Sequence, residues 1–205
     1  MYFIKSPYIL SKLTQKSIVW KMPTGTNSIY LTFDDGPHPE VTPIVLDILN
    51  KYNIKATFFC VGDNVFKHPE VFRQLVEGGH SIGNHTFNHL KGWKTTFDNY
   101  IDNINKCSDS FDSKLFRPPY GKISLKQFLA LRKRFRIILW SVMSYDFKQT
   151  MSGEQCLKNV IKYTGDGSII VFHDSVKAQE RMLYALPRVI EHYLKLGYSF
   201  KPIVF

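Results

Sequence analysis

The chain has 205 residues, of which 44% are hydrophobic and 21% are charged, and this length suits one substantial domain and is short for two. Its formal net charge of +10 suits an anionic partner, but no Gly-rich arm or zinc-finger pattern accompanies the basic residues, so we expect no nucleic-acid binding. No apolar run approaches the ~18 residues that cross a bilayer, so we expect no membrane span.

Short apolar runs rich in strand-forming residues alternate along the chain with segments of helical period. The predicted strands span 28–33, 56–61, 80–83, 115–117, 136–140, 168–172 and a last one near 200–204, and the predicted helices span 42–52, 69–77, 98–111, 125–134, 153–163 and 178–196. This alternation predicts βα units and a mostly parallel sheet, either open or closed into a barrel. We expect a single domain, 1–205, in which residues 1–25 form a short N-terminal arm.

Ionisable side chains end or follow five of the predicted strands, at the ends where chemistry collects in βα barrels. They are Asp34 and Asp35, His85 and His89, Arg117, Asp146, and His173. Each has an ordinary alternative: a turn at the aspartate pair, a surface arginine, a helix-capping aspartate and a core histidine. Their joint occurrence at strand ends favours one polar site.

His85 and His89 are spaced to bind a metal from one side of a turn. The motif is not HExxH, because residue 86 is threonine, so the general base of that metalloprotease motif is absent. Two imidazoles need a third ligand, and either aspartate of the Asp34–Asp35 pair could supply it. The other aspartate would then be free to accept a proton from water as a general base.

Five segments together resemble the polysaccharide deacetylases with NodB homology, carbohydrate esterase family 4. TFDDGP at 32–37 is similar to the first motif of that family, HTFNH at 85–89 to the second and RPPY at 117–120 to the third. Residues 140–147 resemble the fourth motif and residues 171–173 the fifth. The resemblance covers nearly the whole chain, from about residue 29 to 205, and implies a distorted, often incomplete (β/α) barrel of TIM-like type.

The resemblance also implies a role for each site residue. Asp34 is expected to be the general base, held by Arg117, and His173 the general acid, paired with Asp146. The metal ligands are expected to be Asp35, His85 and His89, binding Zn²⁺, with Co²⁺, Ni²⁺ or Fe²⁺ as alternatives. Tyr120 is expected to stabilise the oxyanion through its backbone N–H, and Tyr120, Phe147 and Val171 to contact substrate.

The fourth and fifth motifs depart from the family pattern. Met143 replaces an aspartate, Phe147 replaces a tryptophan and Val171 replaces a leucine. None of the three replaces an expected metal ligand or proton carrier. We therefore expect activity to persist, with an effect on substrate preference or rate.

The expected activity is metal-dependent removal of N-acetyl groups from a glycan that contains N-acetylglucosamine, as in chitin or peptidoglycan, with release of acetate. One alternative keeps the site but changes the bond, as in an O-acetyl xylan esterase or a cyclic-amide hydrolase. Another is a weakly active glycan-binding homologue. The sequence leaves the oligomeric state open.

Residues 1–20 and the cysteines bear on the cellular compartment. Lysines and a proline interrupt residues 1–20, which lack the apolar core and cleavage site of a conventional signal peptide. Cys60, Cys107 and Cys156 form no CxxC pair and no disulfide pattern. We expect a cytoplasmic protein by default, although the mature form of an envelope-associated protein would have the same features.

Overall fold

The computed structural model describes residue 14 and residues 17–205, which form an α/β structure. The strands are β1 (Ile18–Val19), β2 (Ser28–Asp34), β3 (Thr57–Cys60), β4 (Ser81–Asn84), β5 (Leu115–Phe116), β6 (Arg136–Ile138), β7 (Val142–Met143), β8 (Ile169–His173) and β9 (Ser199–Phe200). The helices are α1 (Val41–Lys51), α2 (Gly62–Lys67), α3 (Pro69–Glu77), α4 (Phe97–Ser108), α5 (Leu125–Leu131), α6 (Gly153–Tyr163) and α7 (Gln179–Lys195). Two short 3-10 helices, Gly92–Lys94 and Pro119–Gly121, lie in the connections.

The strands form one sheet in the order β1-β6-β5-β4-β3-β2-β8-β7, with β9 paired to β2 outside this path. Every ladder between these strands is parallel. The helices connect successive strands, as parallel pairing requires. The expectation of a mostly parallel sheet is confirmed.

The connection from β6 to β7 requires the sheet to curl. These strands lie six positions apart in the sheet, which in a flat sheet is ~29 Å. Yet only residues 139–141 separate them, and the chain from Ile138 to Val142 can span at most ~15 Å. Because no ladder among residues 17–205 joins β1 to β7, the barrel remains open, which confirms the expected incomplete barrel.

Strand β2 lies beneath the predicted site, and all seven of its residues are buried. A strand buried on both faces is typical of a central position in a parallel sheet. Its neighbours are β3 and β8, and Asp34 is the direct partner of His173 in the β2–β8 ladder. Phe33 stacks on Phe58 with ring centroids 4.9 Å apart, so the strand end that carries Asp34 rests on a packed core.

Most sequence-based elements are confirmed, and α3 and α6 have the predicted bounds. Helices α5 and α6 each begin with a capping box, Ser124 with Gln127 and Ser152 with Gln155. Strands β1 and β7 were not predicted, because two-residue strands are too short to give a period. Helix α2 was also missed; its first residues, Gly, Asp and Asn, favour helices poorly.

The expected N-terminal arm, 1–25, lies only partly within the described residues. Residues 1–13, 15 and 16 lie outside the described residues. Ile18–Val19, however, is a strand of the sheet, paired in parallel with β6. None of the helices in the described part of the chain combines the length and apolar character that a membrane span needs.

Candidate active site

The predicted site residues meet at the carboxyl ends of the strands. Asp34 and His173 end β2 and β8, whereas His85 follows β4, Arg117 follows β5 and Asp146 follows β7. An open pocket of about 210 Å³ lies at this edge, and its lining includes Asp34, Asp35, His85, His89, Tyr120, Phe147 and His173. Strand order therefore joins side chains that are far apart in the sequence.

Asp34 and Arg117 form a buried ion pair in which Arg117 Nη1 donates to Asp34 Oδ1 at 2.7 Å. The guanidinium also donates to Thr32 Oγ1 at 2.7 Å and to the carbonyl oxygens of Ile138 and Leu139 at 3.2 and 3.0 Å. Arg117 has no exposed surface, so it is not a surface arginine. Its several fixed hydrogen bonds hold the Asp34 carboxylate in one orientation.

Asp35 faces the two histidines. Its Oδ1 lies 3.2 Å from His89 Nε2 and 3.8 Å from His85 Nε2, and one ligand atom from each residue lies within 4.8 Å of the others. Burial alone would raise the pKa of Asp35, but the hydrogen bond with His89 and the nearby histidine charges lower that pKa well below its usual range. Asp35 is therefore a carboxylate at neutral pH.

His85 is neutral in this site, with a defined tautomer. Its Nδ1 lies 2.7 Å from the carbonyl oxygen of Arg117, and because a carbonyl only accepts, Nδ1 carries the proton. Burial lowers the pKa of His85 to about 4, although Asp34 opposes that shift. Nε2 is therefore unprotonated and directs its lone pair toward Asp35.

A cation fits this group of side chains. The lone pair of His85 Nε2 and the Asp35 carboxylate face each other without a proton to share, an arrangement that a bound cation stabilises. Two imidazoles and one carboxylate form a typical catalytic zinc set, and the hydrogen bond from His85 Nδ1 to a carbonyl orients the ring for ligation. Asp35, His85 and His89 could thus hold a metal ion.

The backbone is strained where it presents these ligands. Asp35, Thr86 and His89 have φ angles of 81°, 66° and 53°, a region that is costly for residues other than glycine and most costly for a β-branched threonine. Local hydrogen bonds hold these conformations. Asn64 Nδ2 donates to the Asp35 carbonyl at 2.7 Å, and the Leu90 N–H donates to Thr86 Oγ1 at 3.1 Å.

His173 and Asp146 form the second polar pair of the pocket. His173 Nδ1 lies 2.7 Å from Asp146 Oδ1, and the His173 backbone N–H donates to Asp146 Oδ2 at 2.7 Å. Burial alone would lower the pKa of His173, but Asp146, joined by Asp35 and Asp34, raises it to about 10. His173 is therefore an imidazolium at neutral pH, and Asp146 pairs with it and does not cap a helix.

Aromatic rings border the pocket on two sides. Tyr120 packs against His89 with ring centroids 4.8 Å apart, and Phe147 meets His173 edge to face at 5.1 Å. Both expected substrate-contacting aromatic residues therefore line the pocket. Tyr120 has a φ of 61° inside its 3-10 turn, which places a strained residue at the pocket wall.

Val171 does not fit the expectation that it contacts substrate. Its side chain has no exposed surface and packs in a core cluster with Tyr30, Phe59 and Met143. A fully buried side chain cannot touch a glycan, so Val171 is a core residue that supports the end of β8. The neighbouring Met143 lines the pocket, in the position where the family pattern has an aspartate.

Two residues of the pocket and one residue beside it had no predicted role. Trp140 and Lys177 line the pocket. Trp140 begins the stretch that resembles the fourth motif but was given no role of its own, and Lys177 lies in none of the five motifs. Asp174 accepts hydrogen bonds from the Gly36 N–H at 3.1 Å and from Thr42 Oγ1 at 2.5 Å, which ties the Asp34–Asp35 turn to the end of β8. Burial raises the pKa of Asp174 to about 8. The only sign of this role in the sequence is that Asp174 directly follows His173.

Comparison with known proteins agrees with this geometry. A family profile described as polysaccharide deacetylase matches residues 21–134. A peptidoglycan-N-acetylglucosamine deacetylase of Bacillus cereus is 34% identical over 191 residues, covering 89% of each chain. A chitooligosaccharide deacetylase of Azorhizobium caulinodans is 34% identical over 168 residues, covering 77% of this chain and 79% of the relative. Two further peptidoglycan deacetylases are longer, and the match spans 58% and 32% of their lengths.

A solved structure shares the same fold. The crystal structure of the Bc1960 peptidoglycan N-acetylglucosamine deacetylase in complex with 4-naphthalen-1-yl-N-oxidanyl-benzamide superposes with a TM-score of 0.89 at 32% identity. The superposition covers 97% of this chain and 95% of that one. From its motifs, its open parallel barrel and these matches, the chain belongs to the polysaccharide deacetylase family.

Proposed function

We propose that this protein is a metal-dependent deacetylase that hydrolyses the N-acetyl groups of N-acetylglucosamine residues in a glycan and releases acetate. One observation carries the proposal. A carboxylate held by a buried arginine and an imidazolium held by a buried aspartate line one pocket with the Asp35, His85 and His89 group. Such a pocket offers a proton acceptor, a proton donor and a cation site together.

Asp35, His85 and His89 would hold the metal, for which we propose zinc, with cobalt, nickel or iron as alternatives that the same ligands accept. A bound ion would polarise the acetamide carbonyl and increase the acidity of water. The neutral state of His85 and the ionised state of Asp35 both support binding, because neither ligand has to lose a proton first.

Asp34 is assigned as the general base. Its Oδ1 is held by Arg117, so we assign Oδ2 to accept the proton of the attacking water. Arg117 acts as a positioning residue, since its guanidinium is buried and its hydrogen bonds are directed at Asp34, Thr32 and two carbonyl oxygens. A fixed carboxylate loses little freedom when water attacks.

His173 is assigned as the general acid. Its Nδ1 is engaged by Asp146, which leaves Nε2–H to donate to the sugar nitrogen as the amide C–N bond breaks. The pKa of about 10 keeps the imidazolium populated at neutral pH. His173 can thus serve as the proton donor of the reaction at that pH.

Tyr120 and Phe147 are assigned to the reacting acetamide. The Tyr120 backbone N–H, at the pocket wall, would donate to the developing oxyanion. The Phe147 ring, packed against His173, would form an apolar wall for the acetyl methyl group. The assignment of N-acetylglucosamine as substrate is supported by the named activities of the two relatives at 34% identity.

Acetate release from a panel of substrates tests the proposal. Purified protein, with metal removed and restored, is assayed on N-acetylglucosamine oligomers, on acetylated xylan and on a cyclic amide. We expect release from the N-acetylated oligomers alone, and we expect Asp34→Asn and His85→Ala to abolish it. Release from acetylated xylan alone would make the enzyme an esterase. Glycan binding that persists without metal and without turnover would make it a binding homologue.

A further inference from the structure

Trp93 is an exposed tryptophan beside Tyr120, a residue that lines the pocket. It lies in the 3-10 turn Gly92–Lys94, and 42% of its surface is accessible to solvent. Its ring meets Tyr120 edge to face, with centroids 5.4 Å apart, and Tyr120 in turn lines the pocket. A large apolar ring that does not complete the core, yet adjoins a pocket, is typical of a binding surface.

The turn that carries Trp93 is held in place by a buried side chain. Gln127, which is 2% exposed, donates from Nε2 to the Gly92 carbonyl at 2.9 Å. Thr95 Oγ1 and the Lys94 N–H both donate to the Lys91 carbonyl at 2.9 Å. A Cβ at Gly92 would approach Gln127 Oε1 to 3.0 Å, so the turn packs closely there. The position of Trp93 is therefore organised before any ligand binds.

Two lysines flank this aromatic pair. Lys122 Nζ lies 5.1 Å from the centroid of the Trp93 ring, and Lys91 Nζ lies 5.4 Å from the centroid of the Tyr120 ring. Neither ammonium forms a salt bridge within the described residues. The segments 86–97 and 113–145, which carry these lysines, contain no Asp or Glu. Positive charge here has no carboxylate from its own segments to neutralise it.

We propose that Trp93, Lys91 and Lys122 form a subsite for a carboxylated amino sugar that adjoins the sugar being deacetylated. This inference rests on the proposed deacetylase function. The indole would cover the apolar C–H face of the sugar ring, and the ammonium groups would pair with its carboxylate. A glycan in which N-acetylglucosamine alternates with a sugar bearing a lactyl carboxylate satisfies both contacts. A neutral homopolymer of N-acetylglucosamine satisfies only the first.

The test compares two tetrasaccharides of equal length. One alternates N-acetylglucosamine with N-acetylmuramic acid, and the other is the neutral tetramer of N-acetylglucosamine. The measured quantity is the ratio of kcat/KM on the carboxylated glycan to kcat/KM on the neutral glycan. We expect the double variant Lys91→Gln/Lys122→Gln to lower this ratio about fivefold at low salt, since two surface ion pairs are lost. Added salt should lower the ratio of the unmodified protein and change that of the double variant little.

Three further variants separate the aromatic contact from general effects. Trp93→Ala should raise KM on the carboxylated glycan about tenfold, and Trp93→Phe should restore most of that loss. Lys133→Gln removes the same charge near the amino end of β6, away from the pocket, and should leave the ratio unchanged. A ratio that does not fall in the double-lysine variant overturns the carboxylate assignment, and an unchanged KM in Trp93→Ala overturns the subsite.

Failure of the proposed function gives a different result. If the unmodified protein deacetylates neither glycan, calorimetric titration with the carboxylated tetrasaccharide still tests the subsite. Binding that Trp93→Ala and the double-lysine variant weaken would support the subsite on a protein of another activity. Absence of binding, or binding that is equal in all variants, would overturn it.

Discussion

Arg117 donates to Asp34 across 2.7 Å, and both side chains are almost completely buried beneath the pocket. One guanidinium therefore joins the end of β2 to the end of β6, because it also donates to the carbonyl oxygens of Ile138 and Leu139. The same pair thus supports the fold and orients the proposed base. Stability and activity should respond differently to changes at Arg117.

Replacement of Arg117 tests that dual role. Arg117→Met leaves the Asp34 carboxylate buried without its partner, so we expect the free energy of unfolding to fall by ~3 kcal/mol in urea denaturation. Arg117→Lys keeps the charge but not the planar fork of donors, so it should lose less stability while acetate release still falls at least tenfold. The control Arg134→Met removes an exposed arginine that bonds Asn105 and should change stability by less than ~0.5 kcal/mol. Equal losses of stability in Arg117→Met and Arg134→Met would contradict this role of Arg117 in the fold.

Asp146→Asn should move the pH dependence of the reaction. Asp146 raises the pKa of His173, so its amide counterpart should lower that pKa and deplete the imidazolium at neutral pH. Because the protonated form is the proposed acid, activity is lost as pH rises through the pKa, and the alkaline limb of kcat should shift to lower pH by at least one unit. Asp112→Asn, an exposed aspartate before β5, is the matched control. An alkaline limb that stays in place would remove His173 from the role of acid.

Strand ends and motif spacing were enough to predict which residues meet, because parallel strands place their carboxyl ends at one edge. Asp34, His85, Arg117 and His173 were all found in this way. The sequence could not predict that His85 is neutral, because its tautomer depends on the Arg117 carbonyl, 32 positions away.

The sequence also could not predict which side chains of a fully buried strand face the pocket. Both neighbours of Val171 in β8, Ile170 and Phe172, are as buried as Val171 itself. An apolar run without alternation gives no sign of which side chain faces the pocket. The resemblance to the fifth motif assigned Val171 to substrate, and the strand's own sequence could not correct that assignment, although Val171 lies in the core. Trp93 was missed because an isolated aromatic residue carries no spacing signal.

Metal binding should be measurable as stabilisation of the protein without any assay of catalysis. We expect Zn²⁺, added to metal-free protein at a hundred times its dissociation constant, to stabilise the fold by about 2.7 kcal/mol and raise the unfolding temperature by ~5–10 °C. His89→Ala removes the ligand whose Nε2 lies 3.2 Å from Asp35 and should reduce this shift severely. His192→Ala changes a histidine on α7 and should retain it. A shift that survives in His89→Ala would place the ion elsewhere.

Gly36→Ala should disrupt the turn that carries both aspartates. A Cβ at Gly36 would overlap the Asp174 carboxylate, which also accepts the Gly36 N–H and the Thr42 hydroxyl. We expect a loss of ~1–3 kcal/mol in the free energy of unfolding, as for other overpacked sites, and a severe loss of acetate release, since Asp34 and Asp35 both precede this glycine directly.

Two further variants locate the cause of that effect. Gly165→Ala introduces the same methyl group where no atom lies within 4 Å, so its stability and activity should match those of the unmodified protein. Adding Asp174→Ala to Gly36→Ala removes the overlap, so stability should partly recover in urea denaturation. Activity should stay low, because the turn has then lost the carboxylate that holds it to the end of β8. If the double variant recovers neither stability nor activity, steric overlap with Asp174 is not what makes glycine necessary at this position.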